Sequence, residues 1–313
     1  MKLLFIHFGN KESFFFLSSC FVTLKQKYSD CSISLLLEKG MENFSSNFDH
    51  IDSIFYAENS FFDRRKLIKT LNAESFDYLI DLQRDFFKSS YYFAKKIKAK
   101  DKIGYNYPNK AKPFTIPIQK KRQAHIHDYY MIGLEHFKIE KKFSPSLKLD
   151  SKMADVKNDF RKYHLGKNPI LFLSKQASFS DEKWQDEKWN SLLKNHNLKL
   201  FDVIIDSTEF SSDELEQFSK ESYLFPLNLA KKENRIYVIQ QCRFLISLSS
   251  FDFLIAQQES KSSLLLDSNN KQRKLLQPLS KGSYVVTARF SLETVENIQL
   301  DSVIKAFRQM LTD

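Results

Sequence analysis

The fold is decided by residues 76–107, FDYLIDLQRDFFKSSYYFAKKIKAKDKIGYNY. The apolar run at Tyr78–Leu82 predicts a strand that is buried on both faces. Ser89–Lys100 predicts a helix with aromatic residues on its inner side and lysines on its outer side. Lys102–Tyr105 predicts the next strand. Because a strand, a crossover helix and a second strand form the repeating unit of a parallel sheet, we expect an α/β fold.

Polar residues follow the first of these strands. Asp81, Gln83 and Arg84 stand at its carboxyl end, and ligands of parallel sheets bind at the carboxyl ends of strands. The sequence therefore predicts a binding site at these residues. A second interpretation remains open, in which Asp81 only caps the turn that follows the strand.

The same alternation of strands and helices runs through the whole chain and restarts after a break at residues 165–169, LGKNP. A polar helix is predicted over Ser151–His164, just before this break. A chain of 313 residues suits two domains. We divide it into residues 1–150 and residues 151–313, each predicted to be an α/β domain.

The composition favours a reduced compartment. The 3 cysteines show no spacing typical of disulfides or metal sites. The first residues contain too short an apolar core for a signal peptide, and no apolar run approaches the ~20 residues of a membrane span. We therefore expect a soluble protein of the cytoplasm.

Positive charge is concentrated in one segment. Residues 84–122 hold 12 Lys and Arg against 2 Asp and Glu, while the whole chain has a net charge of +10. Such a field favours partners rich in phosphate, such as anionic lipid or phosphorylated glycolipid. The alternative is a solvated helix face. The segment matches no nucleic-acid-binding module, so we expect no nucleic acid partner.

Two groups of residues resemble metal sites but have simpler explanations. His125 and His127 with Asp128 resemble a metal pair, yet helical residues two positions apart face different sides. The acidic residues within 181–187 suit a solvated helix start, where negative charge is stabilising. No metal is expected.

The order of these segments resembles the heptosyltransferase family of glycosyltransferases, family nine. The similarity runs through residues 76–83 with 103–105, then 125–139, 171–184 and 234–258, and so spans nearly the whole chain. The resemblance implies two Rossmann-like domains that face each other across a cleft, the GT-B type. It also implies inverting transfer of a sugar from a nucleotide-sugar to a lipopolysaccharide or other glycan acceptor. Neither cofactor nor metal is implied, and the expected location is the cytoplasm, at the inner face of the cell membrane.

The resemblance assigns a role to each domain. Residues 1–150 would hold the acceptor, with Asp81, Gln83 and Arg84 beside it and the basic segment 84–122 facing acceptor phosphates or an anionic membrane surface. Residues 151–313 would hold the donor. The donor-side residues would be Ser174, Lys175, Ser178, Lys183, Trp184, Ser249 and Ser250.

The catalytic position departs from the family pattern. In the family, a loop after the first strand ends in Gly-Asp, and the Asp is the expected general base. The ungapped match places Glu12 and Ser13 there. Serine is not a base near neutral pH without a partner. Glu12 is therefore the candidate base, provided that the loop turns its carboxylate toward the acceptor.

The donor motifs depart from the family as well. The family lysine that faces donor phosphate falls on Glu182, although Lys175 or Lys183 could compensate. The family glycine of the phosphate loop falls on Phe251, and phosphate loops need glycine for close backbone approach. No glycine occurs between Gly166 and Gly282. Ser249 and Ser250 could bind an anion at the helix start or only cap the helix.

These departures leave two functions open. The first is an active heptosyltransferase-type enzyme. The second is a catalytically inactive relative that keeps the fold and acts as a binding or scaffolding partner. A weaker idea is that the basic segment binds anionic membrane without any sugar chemistry, as a peripheral membrane protein.

Overall fold

The computed structural model describes residues 1–58, 60–83, 85–108, 110–119, 125–140, 142–177, 183–268, 278–289 and 293–312. The chain divides into two compact units. The N-terminal unit spans Met1–Lys148 and the C-terminal unit spans Leu149–Asp313. This division lies close to position 150, at which the sequence analysis separates the two domains.

The described residues of the N-terminal unit form a six-stranded sheet in the order β3-β2-β1-β4-β5-β6, and every neighbouring pair is parallel. The strands are β1 (Lys2–His7), β2 (Ser32–Glu38), β3 (Ser53–Ala57), β4 (Phe76–Asp81), β5 (Ala99–Gly104) and β6 (Ile116–Pro117). The helices are α1 (Lys11–Lys27), α2 (Glu42–Ser45), α3 (Phe61–Ala73), α4 (Lys88–Lys96) and α5 (Ile126–Gly133). A 3-10 turn follows α5 at Glu135–Phe137.

The described residues of the C-terminal unit form a second six-stranded parallel sheet, in the order β12-β11-β10-β7-β8-β9. The strands are β7 (Ile170–Ser174), β8 (Asp202–Asp206), β9 (Leu224–Leu227), β10 (Phe244–Leu248), β11 (Ser262–Asp267) and β12 (Tyr284–Thr287). The helices are α6 (Lys157–Lys162), α7 (Asp186–Leu193), α8 (Ser212–Phe218), α9 (Lys232–Gln241), α10 (Phe251–Gln258) and α11 (Leu300–Thr312). Its 3-10 turns are His196–Leu200, Ser207–Glu209 and Val295–Asn297.

The two sheets have the same topology. In each unit the first strand lies in the middle, the next two strands extend to one side, and the last three extend to the other. This is the strand order of the doubly wound dinucleotide-binding fold. The prediction of an α/β chain with two Rossmann-like domains is therefore confirmed.

The strands that the sequence analysis missed lie at sheet edges. β3, β6 and β9 are edge strands, and each is less buried than the central strands. Their apolar signal is weaker because they are not covered on both faces. β6 contains Pro117 and β9 contains Pro226, and edge strands tolerate proline because one side of the backbone has no partner strand.

Two predicted helices are shorter than expected. The helix predicted over Ser151–His164 is present only as α6 (Lys157–Lys162). A turn precedes it, in which the Lys152 N–H donates to Asp150 Oδ1 (2.9 Å). The helix predicted to reach Lys100 ends at Lys96. Ile97 already has extended backbone angles, and β5 follows directly.

Side-chain caps close the start of helix α8. Ser211 and Glu214 form a complete capping box at the start of α8, with each side chain accepting from the backbone N–H of the other residue. Reciprocal caps of this kind satisfy backbone donors that the first helical turn leaves without partners. Among the described residues, no helix is both long enough and apolar enough to cross a membrane.

We expect Ser211→Ala to lower the free energy of unfolding by about 1 kcal/mol, because it removes the cap of α8. Urea denaturation followed by circular dichroism measures the loss. Ser222→Ala is the matched control, since Ser222 is exposed and lies beyond the end of α8. An equal effect of both substitutions would contradict a role for the capping box.

Candidate functional site

In each sheet, the second and third strands are added on one side of the first strand and the later strands on its other side. The candidate sites lie at the point where the strand order changes side. In the N-terminal unit it lies between β1 and β4, and in the C-terminal unit between β7 and β10. Ligands of open α/β sheets bind at this position, outside the carboxyl ends of the strands. The residues that follow β1, β4, β7 and β10 are therefore the ones to consider.

The loop after β1 brings Ser13 to His7. The Asn10 side chain caps α1 by accepting from the backbone N–H of Ser13 (2.8 Å). The Ser13 hydroxyl donates to the Asn10 carbonyl (2.8 Å) and its oxygen lies 3.2 Å from His7 Nε2. Burial lowers the pKa of His7 to about 4, with the Asn10 carbonyl opposing the shift. The imidazole is therefore neutral at pH 7, and sequence reasoning did not identify it.

The two candidate base residues differ in exposure. Glu12 is buried, with 4% of its surface exposed, whereas Ser13 is partly exposed. Gly9 precedes both and leaves room for the contact, because a Cβ at this position would lie 2.7 Å from Ser13 Oγ. The structure thus places Ser13, and not Glu12, closer to solvent at the carboxyl end of β1.

Asp81 ends β4 beside β1. The strands pair in a register that sets Asp81 opposite Ile6, one residue before His7. Asp81 Oδ1 accepts from the Gln83 N–H (3.1 Å), so the turn-capping interpretation describes a real contact. Burial raises the pKa of Asp81 to about 7, although the Gln83 N–H opposes the shift. The carboxyl group therefore keeps its proton to a higher pH than an exposed aspartate does.

A tyrosine holds the loop after Asp81, and a second one contacts the first turn of α1, which follows β1. Tyr107 donates its hydroxyl hydrogen to the Gln83 carbonyl (2.8 Å). The side-chain oxygen of Gln83 is buried and has no hydrogen-bond partner among the described residues. Burial raises the pKa of Tyr130, and a hydrogen bond with Ser13 opposes this shift. Arg84, the third predicted residue of this group, lies outside the described residues.

The C-terminal unit contains a pocket of about 340 Å³ at the carboxyl ends of β7 and β8. Its walls combine lysines, carboxylates, an arginine and two tryptophans. The lining residues are Lys175, Gln176, Lys183, Trp184, Asp186, Trp189, Thr208, Glu209 and Arg235. Three of the predicted donor-side residues, Lys175, Lys183 and Trp184, therefore share one pocket. Ser178, predicted to join them, lies outside the described residues, as does Glu182.

The lysines of this pocket differ in their partners. Lys175 Nζ lies 2.5 Å from Asp186 Oδ1 and 4.2 Å from the centre of the Phe210 ring. Its backbone N–H donates to Glu209 Oε2 (2.9 Å). Lys183 is exposed, and within the described ranges it makes no ion pair. Trp184 is mostly a core residue, since its indole N–H donates to the Ile298 carbonyl (2.9 Å) and 2% of its surface is exposed.

A buried arginine forms the back of the pocket. Arg235 donates to the carboxylates of Asp206, Glu209 and Asp252, and the contact with Asp252 is 2.5 Å long. Burial disfavours its charge, but Asp252 and the other carboxylates outweigh this and raise the pKa of Arg235. Burial likewise raises the pKa of Asp252, with Arg235 opposing. Sequence reasoning missed this cluster, although the Asp that ends β8 and the Asp that opens α10 were visible signals.

Ser174 belongs to the same cluster. Its hydroxyl donates to Asp252 Oδ2 (2.7 Å), and its side chain is fully buried. The role predicted for Ser174, direct contact with a donor, remains a prediction. Its contact in the structure is structural, because it joins the end of β7 to α10.

The two serines after β10 are buried at the start of α10. Ser250 is the N-cap, and its hydroxyl oxygen accepts from the Phe253 N–H (3.4 Å). Ser249 and Ser250 have 3% and 0% of their surface exposed. Phe251 occupies the first helical position, with Lys232 Nζ 5.1 Å from its ring centre. The pocket lies on the β8 side of β7, whereas these serines follow β10 on the other side.

Among the described residues, no group of three His, Cys, Asp or Glu side chains is arranged so that it could hold a metal ion. His125 is the N-cap of α5 and accepts from the His127 N–H (3.0 Å). His127 Nε2 lies 3.2 Å from the Lys142 carbonyl. The two histidines therefore serve local backbone contacts.

Comparison with known proteins identifies the family. The sequence profile of glycosyltransferase family 9 (heptosyltransferase) matches residues 64–248. The chain belongs to glycosyltransferase family 9. This match covers β4, the basic segment, and the C-terminal unit as far as the end of β10. A search of curated proteins found no match.

Solved structures of the family have the same fold over the whole chain. The family 9 glycosyltransferase from Veillonella parvula superposes with a TM-score of 0.68 at 11% identity, covering 100% of this chain and 97% of that one. The E. coli ADP-heptose lps heptosyltransferase II gives 0.66 at 15% identity, with coverages of 100% and 99%. The E. coli heptosyltransferase WaaC, solved with ADP, gives 0.64 at 12% identity, with coverages of 100% and 98%.

We expect the stability of this family 9 chain to depend on the protonation of Asp81. Its folded pKa of about 7 lies above the model-compound value of 3.8, so the folded state holds the proton over a pH range where the unfolded state releases it. The free energy of unfolding should therefore fall as pH rises between these values. Relative to wild type, Asp81→Asn should gain roughly 2 to 3 kcal/mol between pH 5 and pH 8.

Urea denaturation of both proteins across this pH range measures the difference. Asp85→Asn makes the same change on an exposed side chain of the same loop and should show no such gain. A difference between Asp81→Asn and wild type that stays constant with pH would contradict the raised pKa.

Proposed function

We propose that this chain is a glycosyltransferase of the heptosyltransferase type. It would transfer a sugar from a nucleotide-sugar to a lipopolysaccharide or other glycan acceptor. The observation that carries the proposal is the pocket of about 340 Å³ with Lys175 and Lys183 on its wall. Family membership supports it, as does the fold shared with an E. coli heptosyltransferase solved with ADP-2-deoxy-2-fluoro heptose.

The donor would occupy the C-terminal unit. A nucleoside diphosphate carries negative charge that lysine ammonium groups stabilise through charge-assisted hydrogen bonds. Lys183 is exposed at the pocket, so it would meet the phosphates directly. Lys175 would join it after exchanging its contact with Asp186, whose side chain is 68% exposed. Ser178, Ser249 and Ser250 remain predicted donor-side residues.

The acceptor would occupy the N-terminal unit. Asp81 and Gln83 stand at the carboxyl end of β4, beside the Ser13–His7 contact, and Arg84 is the next residue in the chain. The basic segment 84–122 would then face acceptor phosphates or an anionic membrane surface. We propose that the protein works in the cytoplasm, at the inner face of the cell membrane.

A general base for the transfer would stand near the end of β1. Glu12 is a carboxylate near the expected position, but it is buried. Ser13 would need His7 to take its proton, and an imidazole with a pKa of about 4 is a weak base. We propose Glu12 as the base, reached if the first turn of α1 shifts on acceptor binding.

A second candidate function is a family member that binds without catalysis. Three observations favour it: Ser250 is used as a helix cap, Phe251 stands in the glycine position, and Arg235 is surrounded by carboxylates. These features make the phosphate-binding side of β10 bulky and acidic. Such a protein would bind a glycan or a protein partner and release no nucleotide.

We expect ADP and UDP to bind with dissociation constants that Lys183→Ala weakens about tenfold, the loss of one charge-assisted hydrogen bond. Isothermal titration calorimetry measures the constants. Lys194→Ala is the control, because Lys194 is an exposed lysine of the same unit that follows α7. No heat with millimolar nucleotide or nucleotide-sugar would overturn the enzyme proposal and leave the binding protein.

We expect Glu12→Gln to lower the rate of transfer at least about a hundredfold, because glutamine cannot accept a proton, while the donor dissociation constant stays unchanged. Ser13→Ala should change the rate only a few-fold. Release of nucleoside diphosphate with lipopolysaccharide acceptor measures transfer, and circular dichroism confirms that the variants fold. Donor binding without any turnover by the wild type would favour the second candidate.

A further inference from the structure

Four exposed phenylalanines lie at the same edge of the N-terminal unit. Phe61 and Phe62 open α3 and have 60% and 80% of their surface exposed. Phe86 and Phe87 directly precede α4 and have 41% and 43% exposed. α3 follows β3 and α4 follows β4, and all strands of this sheet are parallel. Both pairs therefore stand at the carboxyl edge of the sheet.

The two helices also cover the same face of the sheet. Leu71 of α3 and Phe93 and Ala94 of α4 belong to one hydrophobic cluster. Both helices therefore start in one region of the unit, at the same edge and on the same face of the sheet. We call this region the aromatic corner and define it by Phe61, Phe62, Phe86 and Phe87 with the residues that surround them.

Basic side chains surround the aromatic corner. The Arg65 guanidinium lies 5.5 Å from the centre of the Phe61 ring, and Lys110 Nζ lies 5.1 Å from that of Phe86. Lys66, Lys88 and Lys112 are exposed basic residues close to these in the chain. Asp63 and Asp85 are also exposed there, so the cations outnumber the carboxylates.

Large exposed apolar side chains ringed by cations suit one partner. Monomeric proteins seldom expose contiguous apolar patches unless the patch has a binding role. Aromatic side chains enter the boundary between lipid head groups and acyl chains, while Lys and Arg pair with anionic head groups. We propose that the aromatic corner docks on a bilayer containing anionic lipid, with Phe61 and Phe62 entering the interface.

This surface goes beyond the glycosyl transfer proposed above. The contact expected for residues 84–122 rests on charge, whereas Phe61, Phe62 and Arg65 lie outside that segment and add an apolar anchor. The anchor lies at the edge of the sheet that also carries Asp81, so it would hold the predicted acceptor side at the membrane. Vesicle binding is measured without donor or acceptor, so its failure is separate from a failure of the transferase proposal.

Co-sedimentation with phosphatidylcholine vesicles, with and without phosphatidylglycerol, tests the anchor. We expect binding to the vesicles with phosphatidylglycerol, and an affinity about tenfold or more lower for the double variant Phe61→Ser/Phe62→Ser. The control is Met153→Ser/Leu200→Ser, which removes apolar side chains that are 81% and 70% exposed in the C-terminal unit. Equal binding of both double variants would overturn the proposal.

Tryptophan fluorescence reports insertion directly. The 2 native tryptophans, Trp184 and Trp189, are 2% and 1% exposed, so vesicles should leave their emission unchanged. Phe62→Trp adds a tryptophan at the most exposed position of the corner. Its emission should shift to shorter wavelength when phosphatidylglycerol vesicles are added. Sedimentation with vesicles but no such shift would overturn insertion.

The exposed cations at the aromatic corner are tested separately. Arg65→Gln/Lys66→Gln should weaken vesicle binding several-fold at low salt, and rising salt should reduce the difference from wild type because it screens the attraction. Lys305→Gln/Arg308→Gln removes the same charges from the exposed side of α11 and serves as the control.

Full displacement by soluble glycerol phosphate would indicate a phosphate site instead of a membrane surface. A dimer that Phe61→Ser/Phe62→Ser dissociates, with unchanged vesicle binding, would assign the corner to a second copy of this chain. Either result would overturn the proposal.

Discussion

The candidate donor site depends on one buried ion cluster. Arg235 of α9 donates to Asp206 at the end of β8, to Glu209 just beyond it, and to Asp252 of α10. Ser174 at the end of β7 donates to Asp252 from the other side. Two strands and two helices are thereby joined at their functional ends. Because a buried charge without a partner is costly, each member of the cluster constrains the others, and the walls of the pocket are fixed as a set.

The two units share one topology but differ in the residues that follow the first strand. In the N-terminal unit, Gly9 allows the turn after β1 to pass closely by Ser13 and His7. In the C-terminal unit, the corresponding strand β7 ends in Ser174, which is bound to Asp252, and the helix after β10 starts with Phe251. Side chains thus fill space that a glycine loop would leave to a ligand. The lack of glycine between Gly166 and Gly282 therefore leaves larger side chains at this end of the C-terminal sheet.

The sequence was sufficient for the fold because the central strands carry continuous apolar runs. β10 at Phe244–Leu248 is buried along its whole length, and such runs leave little doubt about a parallel sheet. Edge strands such as β9 lack this signal. Site residues on strand ends, such as Asp81, were found from topology. Arg235 and Asp252 were not, because the carboxylate partners of Arg235 lie 17 to 29 positions from it along the chain and Ser174 lies 78 positions from Asp252. No periodicity links such residues. His7 was missed because it reads as the last residue of a buried strand.

The charges around the pocket decide whether a diphosphate could enter it. Arg235 already donates to three carboxylates. Among the described residues that line the pocket, the cations that remain for a ligand are Lys175 and Lys183. Lys175, whose side chain is 13% exposed, pairs with Asp186, whose side chain is 68% exposed, so solvent screens the ion pair from the Asp186 side. A ligand with two adjacent phosphates would compete well for the same ammonium group. Rotation of the exposed Asp186 side chain, with no change in the buried cluster, would then be enough to admit it.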